Sequence, residues 1–92
     1  MLKLIQTCGA CPEQYDVYDE SGKQVGYLRL RYSRFYAKCY VSPFHHPIVY
    51  EADTIGDGLF DPSERTHHLN LACQHIIAEL TKPSEEPIYE VG

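Results

Sequence analysis

The chain has 92 residues, of which 43% are hydrophobic and 23% are charged. This length allows one small domain with a single core, and the composition is ordinary for a globular protein. The formal net charge of −5 argues against long duplex nucleic acid as a partner. The opening residues show neither a long apolar run nor a small-residue cleavage site, so we expect no membrane association and a cytoplasmic location.

The first segment contains a candidate strand, Leu2 to Thr7, followed by two cysteines in the arrangement Cys-Gly-Ala-Cys. Cys8 and Cys11 are spaced so that both sulfurs can reach one zinc ion. A second such pair is absent from the sequence, and a cytoplasmic compartment favours free thiols or metal ligands over disulfides. Three interpretations stay open: a structural turn with free thiols, half of a zinc site with Cys8 and Cys11 as metal ligands, and a redox pair.

Residues 24–42 predict a β-hairpin that organises the rest of the chain. Apolar residues alternate with Tyr, Arg and Lys on both predicted strands, so one side is apolar and the other is basic and aromatic. We expect a two-residue loop of Ser33 and Arg34, which would place Arg29 directly opposite Lys38. Since like charges in that position are destabilising, the pairing suggests a surface that binds an anion.

The basic side of this hairpin is the predicted ligand-binding surface. Residues 21–50 contain five basic and no acidic residues, although the whole chain is acidic. Arginine pairs with phosphate through two hydrogen bonds, and tyrosine rings can stack on bases. The alternative is an ordinary solvated face or a surface for self-association. The predicted binding residues are Tyr27, Arg29, Arg31, Arg34, Tyr36, Lys38 and Tyr40.

The segment 53–64 has acidic residues and a glycine at spacings typical of a calcium-binding EF-hand loop. Ile55 occupies a position that needs an oxygen ligand, and a strand rather than a helix precedes the loop. A helix start explains the same residues, with Asp61 as N-cap, Pro62 as first helical residue and Glu64 closing a capping box. Calcium is therefore the less favoured interpretation, after zinc, and no cofactor is the main expectation.

The helix is predicted to run from about Pro62 to Thr81, after a fifth strand that begins near Ile48. We expect an α+β fold in which an antiparallel sheet of four to five strands carries one C-terminal helix on one face. Residues 1–82 would form the domain, and residues 83–92 an acidic, proline-containing tail. The predicted core stripe of the helix is Leu69, Ala72, Cys73, Ile76 and Leu80.

Two long segments of the chain carry a resemblance. They are TCGACPEQYDVYDESGKQVGYLRLRY and VYEADTIGDGLFDPSERTHHLNLACQHIIAEL. Together they resemble small proteins carried by bacteriophages and integrated mobile elements. Such relatives have a further cysteine-rich or glycine-rich segment before the VYEA strand, where this chain has SPFHHP. The resemblance implies an accessory protein that acts in the host cytoplasm, by blocking host defence machinery or by sequestering its nucleotide signals.

We therefore expect a non-enzymatic binding protein, because the sequence has no recognisable nucleophile motif and no phosphate-cradling glycine loop. Its expected partner is an anionic small molecule such as a nucleotide, bound on the basic hairpin side, with a homo-oligomer closing over that side. The alternatives are an inhibitor that binds an acidic surface of a host protein directly, and a small zinc-binding interaction module.

Overall fold

The fold is a five-stranded antiparallel sheet followed by one helix, seen in a computed structural model that describes residues 1–8 and 12–82. The strands follow one another across the sheet in chain order, and the helix packs on one face against β3, β4 and β5. This architecture confirms the predicted α+β fold. The elements are β1 (Lys3–Cys8), β2 (Glu13–Tyr18), β3 (Gln24–Arg31), β4 (Arg34–Cys39), β5 (Ile48–Asp53) and α1 (Pro62–Leu80).

Two predicted features, Cys11 and the tail of residues 83–92, lie outside the described residues. In the part of the chain that the structure describes, no helix is both long enough and apolar enough to cross a membrane.

The core lies between α1 and the apolar face of the sheet, as the alternation of the strands predicts. Gly26 on β3 lets the helix approach closely, because a Cβ atom there would lie 2.8 Å from Cδ1 of Ile76. The loop between β5 and α1 adds Phe60, whose ring centroid lies 4.9 Å from that of Phe35. The buried apolar residues are Val17, Val25, Leu28, Leu30, Phe35, Ala37, Cys39, Phe60, Ala72 and Ile76.

The hairpin of β3 and β4 has a different register from the predicted one. Its loop is Tyr32 and Ser33, both with positive φ (54° and 57°), so Arg34 begins β4 instead of belonging to the turn. Arg29 therefore lies opposite Tyr36, and the predicted pairing of Arg29 with Lys38 is wrong. The shift is two residues, so the apolar and polar sides still coincide.

A distant segment selects this register. The N–H of Ser33 donates to the carbonyl of Asp57 (2.8 Å), and the N–H of Thr54 donates to the carbonyl of Ser33 (2.9 Å). Neither Tyr nor Ser favours positive φ, so the local sequence alone does not indicate this turn.

The start of α1 is as predicted, with Asp61 as N-cap, Pro62 at the first position and a capping box closed by Glu64. The predicted core stripe is only partly right. Ala72 and Ile76 are buried, whereas Leu80 is 40% exposed.

Two polar side chains, Glu64 and His68, complete the buried row of the helix. Both have partners outside the helix. Glu64 accepts from the loop before α1, and Nδ1 of His68 lies 2.8 Å from the hydroxyl oxygen of Tyr50 on β5. An apolar pattern cannot reveal such positions.

Candidate anion-binding site

The face of the sheet opposite α1, called here the open face, carries the predicted binding residues. Alternation along β3 and β4 directs their polar side chains to this side, while Leu28, Leu30 and Phe35 enter the core. The neighbouring strands add further polar side chains, because Gln14 and Asp16 lie opposite Arg29 and Tyr27. The open face comprises Gln14, Asp16, Tyr27, Arg29, Arg31, Arg34, Tyr36, Lys38, Tyr40, Glu51 and Asp53.

The middle of the open face is aromatic. The rings of Tyr27 and Tyr36 lie 6.3 Å apart at 54°, and Nζ of Lys38 lies 5.6 Å from the centroid of the Tyr36 ring. The hydroxyl of Tyr27 donates to Oε1 of Gln14 (2.8 Å). Burial raises the pKa of Tyr27, so its hydroxyl stays protonated at neutral pH. This part of the face offers rings and neutral hydrogen-bonding groups.

Acidic side chains from β5 neutralise one of the predicted binding residues. Nη1 of Arg34 donates to Oδ1 of Asp53 (3.0 Å), and Nη2 donates to Oε2 of Glu51 (3.2 Å). The hydrogen bond that Arg34 donates to Asp53 raises the pKa of Arg34 above its ordinary value. Arg34 is therefore engaged within the sheet. Residues 21–50 have no acidic residue, so counting charges along the chain misses these partners from the next strand.

Arg29 differs from Arg34 in having no ion pair among the described residues. Its Nε atom is buried and has no hydrogen-bond partner. Nearly all buried polar groups in proteins are hydrogen-bonded, so an exception requires an explanation.

Arg31 lies two residues further along β3, at the end of the sheet. Its Nη2 donates to the hydroxyl of Tyr32 (3.0 Å), and its guanidinium carbon lies 4.7 Å from the centroid of that ring. This contact orients Arg31 without neutralising its charge.

Both arginines line one groove of about 320 Å³ beside the Tyr32–Ser33 turn. The other walls come from the start of β2 and from the loop after β5. A volume near the lower end of known ligand pockets suits one small molecule. The lining residues are Pro12, Arg29, Arg31, Tyr32, Asp57 and Gly58. We call this the arginine groove.

Tyr40 belongs to a separate hollow of about 220 Å³. Its ring stacks on that of His46, with centroids 4.0 Å apart, and Lys23 lines the same hollow. The structure thus brings Arg29 and Arg31 together and places Tyr27, Tyr36 and Lys38 beside them on the face. Tyr40 is on the same face but lines the separate hollow, and Arg34 is paired with Glu51 and Asp53.

The predicted zinc ligands are only half described. Cys8, at the end of β1, is a partly buried free thiol, and Cys11 is outside the described residues. Within residues 1–8 and 12–82, no three His, Cys, Asp or Glu side chains form a group that could hold a metal ion. The zinc site stays a prediction.

In the segment considered for calcium, both carboxylate oxygens of Glu64 accept hydrogen bonds from backbone N–H groups of the loop. Oε1 accepts from the N–H of Ile55 (2.9 Å), and Oε2 accepts from those of Gly56 (2.9 Å) and Asp61 (3.0 Å). Burial acts to raise the pKa of Glu64, but these hydrogen bonds outweigh it and the pKa lies below its ordinary value. The carboxylate thereby fixes the loop that forms one wall of the arginine groove.

A buried carboxylate that the sequence analysis missed supports the same loop. Glu13 is 2% exposed, and its oxygens accept from Nε and Nη2 of Arg65 (both 3.0 Å), from the N–H of Phe60 (3.0 Å) and from the hydroxyl of Tyr15 (2.5 Å). Burial acts to raise the pKa of Glu13, but hydrogen bonds, first from Arg65, hold it below the ordinary value. Burial and Glu13 together raise the pKa of Tyr15 to about 12. The sequence does contain a signal for this position, because residues 13, 15 and 17 of a strand share one face and Tyr15 and Val17 face the core.

No family model matches this chain, and no curated protein or solved structure matches it significantly.

Proposed function

We propose that this protein is a non-enzymatic binding protein that captures a small anionic ligand of the nucleotide class on the open face. Arg29 and Arg31 hold the phosphate in the arginine groove. Tyr27, Tyr36 and Lys38 form the adjoining surface on which the rest of the ligand lies. The phosphate would therefore lie at the end of the predicted basic face near the Tyr32–Ser33 turn.

The observation that carries the proposal is that Arg29 lines the groove without an ion pair among the described residues, while its buried Nε also lacks a hydrogen-bond partner. Leaving such a donor unsatisfied costs about 1 to 3 kcal/mol. Of the other three described arginines, Arg34 and Arg65 have carboxylate partners, and Arg31 contacts only Tyr32. A phosphate in the groove would be the counter-ion that Arg29 and Arg31 lack, and charge-assisted hydrogen bonds of this kind are stronger than neutral ones.

Both the cysteines on the helix side of the sheet and the residues that line the groove support binding without catalysis. Burial raises the pKa of the Cys39 thiol to about 11 and raises that of Cys73, so both are poor nucleophiles at neutral pH. None of the residues that line the groove is a cysteine, serine or histidine. The groove offers guanidinium groups, a carboxylate and an aromatic ring.

The wider role proposed for this binding is to counter a host defence system, in the host cytoplasm, by sequestering a nucleotide signal. This step rests on the resemblance to proteins of bacteriophages and mobile elements. The arginine groove contributes the chemical part of the proposal, a site of mononucleotide size with positively charged walls.

The test is to titrate the protein with inorganic phosphate and, separately, with AMP, and to monitor both titrations by two-dimensional ¹H–¹⁵N NMR. We expect the Nε–H signal of Arg29 to shift in both titrations, because the phosphate binds beside the guanidinium group to which this atom belongs. Affinity should fall as salt is added, since ions screen the exposed part of the site. Native mass spectrometry of the AMP complex would give the stoichiometry and the oligomeric state.

Matched variants separate the groove from general charge effects. Arg29→Met and Arg31→Met should each weaken phosphate binding at least roughly tenfold, which is about 1.4 kcal/mol. Lys82→Met removes the same charge at the far end of α1, where the side chain is 59% exposed, and should leave binding unchanged. Equal loss in all three variants, or no shift of the Arg29 signal at saturating phosphate, would contradict the proposal. Retention of a host protein by the open face would then favour direct inhibition.

A further inference from the structure

The arginine groove contains a carboxylate as well as two guanidinium groups. Asp57 lines it together with Arg29 and Arg31. No ion pair joins Asp57 to either arginine among the described residues, although Arg34 on the same face pairs with two carboxylates. Positive and negative groups are thus held in one groove without neutralising each other.

The position of Asp57 is fixed by the turn that forms the opposite part of the groove. The carbonyl of Asp57 accepts from the N–H of Ser33 (2.8 Å), and Oγ of Ser33 lies 3.5 Å from Oδ1 of Asp57. The carbonyl of the next residue, Gly58, accepts from the N–H of Glu13 (2.7 Å). Because backbone hydrogen bonds hold both sides, the groove is arranged before any ligand binds.

A bare phosphate does not use this arrangement fully, since Asp57 would repel it. A ligand that carries a phosphate and, a few ångströms away, hydrogen-bond donors would use both kinds of group. A ribose meets this requirement because its 2′- and 3′-hydroxyls donate to a carboxylate, as they do to the acidic residue of dinucleotide-binding folds. The volume of about 320 Å³ suits one such unit.

We propose that the arginine groove is specific for a ribonucleoside monophosphate, with the phosphate on Arg29 and Arg31 and the ribose hydroxyls donating to Asp57. This inference rests on the proposed function and names its ligand class. The charge of Asp57 also sets the preference for one phosphate, because it leaves the groove with one net positive charge. Additional phosphates held within the groove would add repulsion from Asp57 without a further cation, because Lys38 is not among the residues that line it.

Calorimetric titrations of the full chain with AMP, 2′,3′-dideoxy-AMP, ATP and inorganic phosphate test this inference. We expect AMP to bind roughly tenfold more tightly than its dideoxy analogue, because the analogue lacks both hydroxyls and leaves Asp57 without donors. We expect ATP to bind no more tightly than AMP. Equal affinity for AMP and dideoxy-AMP, or tighter binding of ATP, would overturn the inference while leaving anion binding intact.

The variant Asp57→Asn raises the net charge by one, so it is compared with a control variant that makes the same change of charge elsewhere. Asp57→Asn should bind inorganic phosphate more tightly than the native protein, because a repulsive charge is gone, and it should lose the difference between AMP and dideoxy-AMP. Asp16→Asn removes the same charge from β2, outside the groove lining, and should keep that difference. If Asp57→Asn kept the difference as well, Asp57 would not be the ribose ligand. If the native protein bound none of the four compounds, the proposed function itself would fail.

Discussion

Two regions on either side of the loop of residues 54–61 bring guanidinium groups and carboxylates together, and they differ in how completely those groups are paired. On the core side, Glu13 is 1% exposed at its side chain and accepts hydrogen bonds from Arg65, Tyr15 and the backbone of Phe60. On the open side, Arg29 has an unsatisfied buried atom, and Asp57 has no ion pair among the described residues.

The difference separates charges that hold the fold from charges that remain available to a ligand. A buried ion pair is tolerated only when hydrogen bonds satisfy both partners, as they do around Glu13. A buried polar group left without a partner reduces stability, so its presence in a folded protein requires an explanation. Glu13 and Arg65 therefore support the loop, whereas Arg29 is the arginine that we propose as a ligand contact.

The largest effect is expected from removing Arg65. Arg65→Met would leave the buried carboxylate of Glu13 without its cation, and breaking a buried pair in this way costs about 3 to 5 kcal/mol. Urea unfolding followed by circular dichroism measures the loss. Lys82→Met, which removes an exposed charge at the helix end, should change the unfolding free energy by less than about 0.5 kcal/mol. If the two variants lost equal stability, the Glu13 cluster would not be a structural support.

Acid should weaken the same region first. Glu13 and Glu64 both have pKa values below the ordinary 4.5 in the folded protein, so their ionised forms favour folding. Their contribution is fully present above about pH 4.5 and is lost as the pH falls through the lower, folded pKa values. Unfolding free energies measured from neutral pH down to acid should therefore decline below about pH 4.5.

The variant Glu13→Gln isolates one of these two groups. It cannot lose a charge on acidification, so its stability should decline less steeply than that of the native protein in the same pH range. Parallel curves for the two proteins would show that Glu13 is not responsible.

The sequence predicted the elements and their faces, because alternation along β3 and β4 is a local property. It did not predict the hairpin register, because the Tyr32–Ser33 turn is selected by backbone contacts with Thr54 and Asp57, more than twenty residues away. It also overestimated the positive charge of the open face. Glu51 and Asp53 reach that face only through the pairing of β4 with β5.

The arginine groove could not be predicted from the sequence for the same reason, because one of its walls is placed by the contacts of Ser33 with the loop after β5. Arg29 and Arg31 are recognisable in the sequence as basic residues of one strand face. Asp57, in contrast, appeared there only as part of a candidate calcium loop. The contact between Ser33 and Asp57 makes it a wall of the groove.

A smaller effect is expected from Arg34, which the sequence analysis grouped with Arg29. Its side chain is 48% exposed and pairs with Glu51 and Asp53, whose side chains are 47% and 90% exposed. Exposed pairs contribute about 0 to 1 kcal/mol, so Arg34→Gln should lower the unfolding free energy by less than about 1 kcal/mol. Phosphate affinity at moderate salt should stay within about twofold of native. A tenfold loss of phosphate affinity would show that Arg34 also contacts the ligand.

The smallest effect on stability, and the largest on binding, is expected for Arg29→Met. Methionine keeps the apolar stem that packs on the sheet and removes the unsatisfied Nε, so the unliganded protein should be as stable as native, or more stable by up to about 1 kcal/mol. Native protein should gain thermal stability when AMP is added, because a ligand that binds only the folded state stabilises it, and Arg29→Met should lose that gain. If Arg29→Met instead destabilised the unliganded protein as strongly as Arg65→Met, Arg29 would belong with the structural charges and the two regions would not differ in kind.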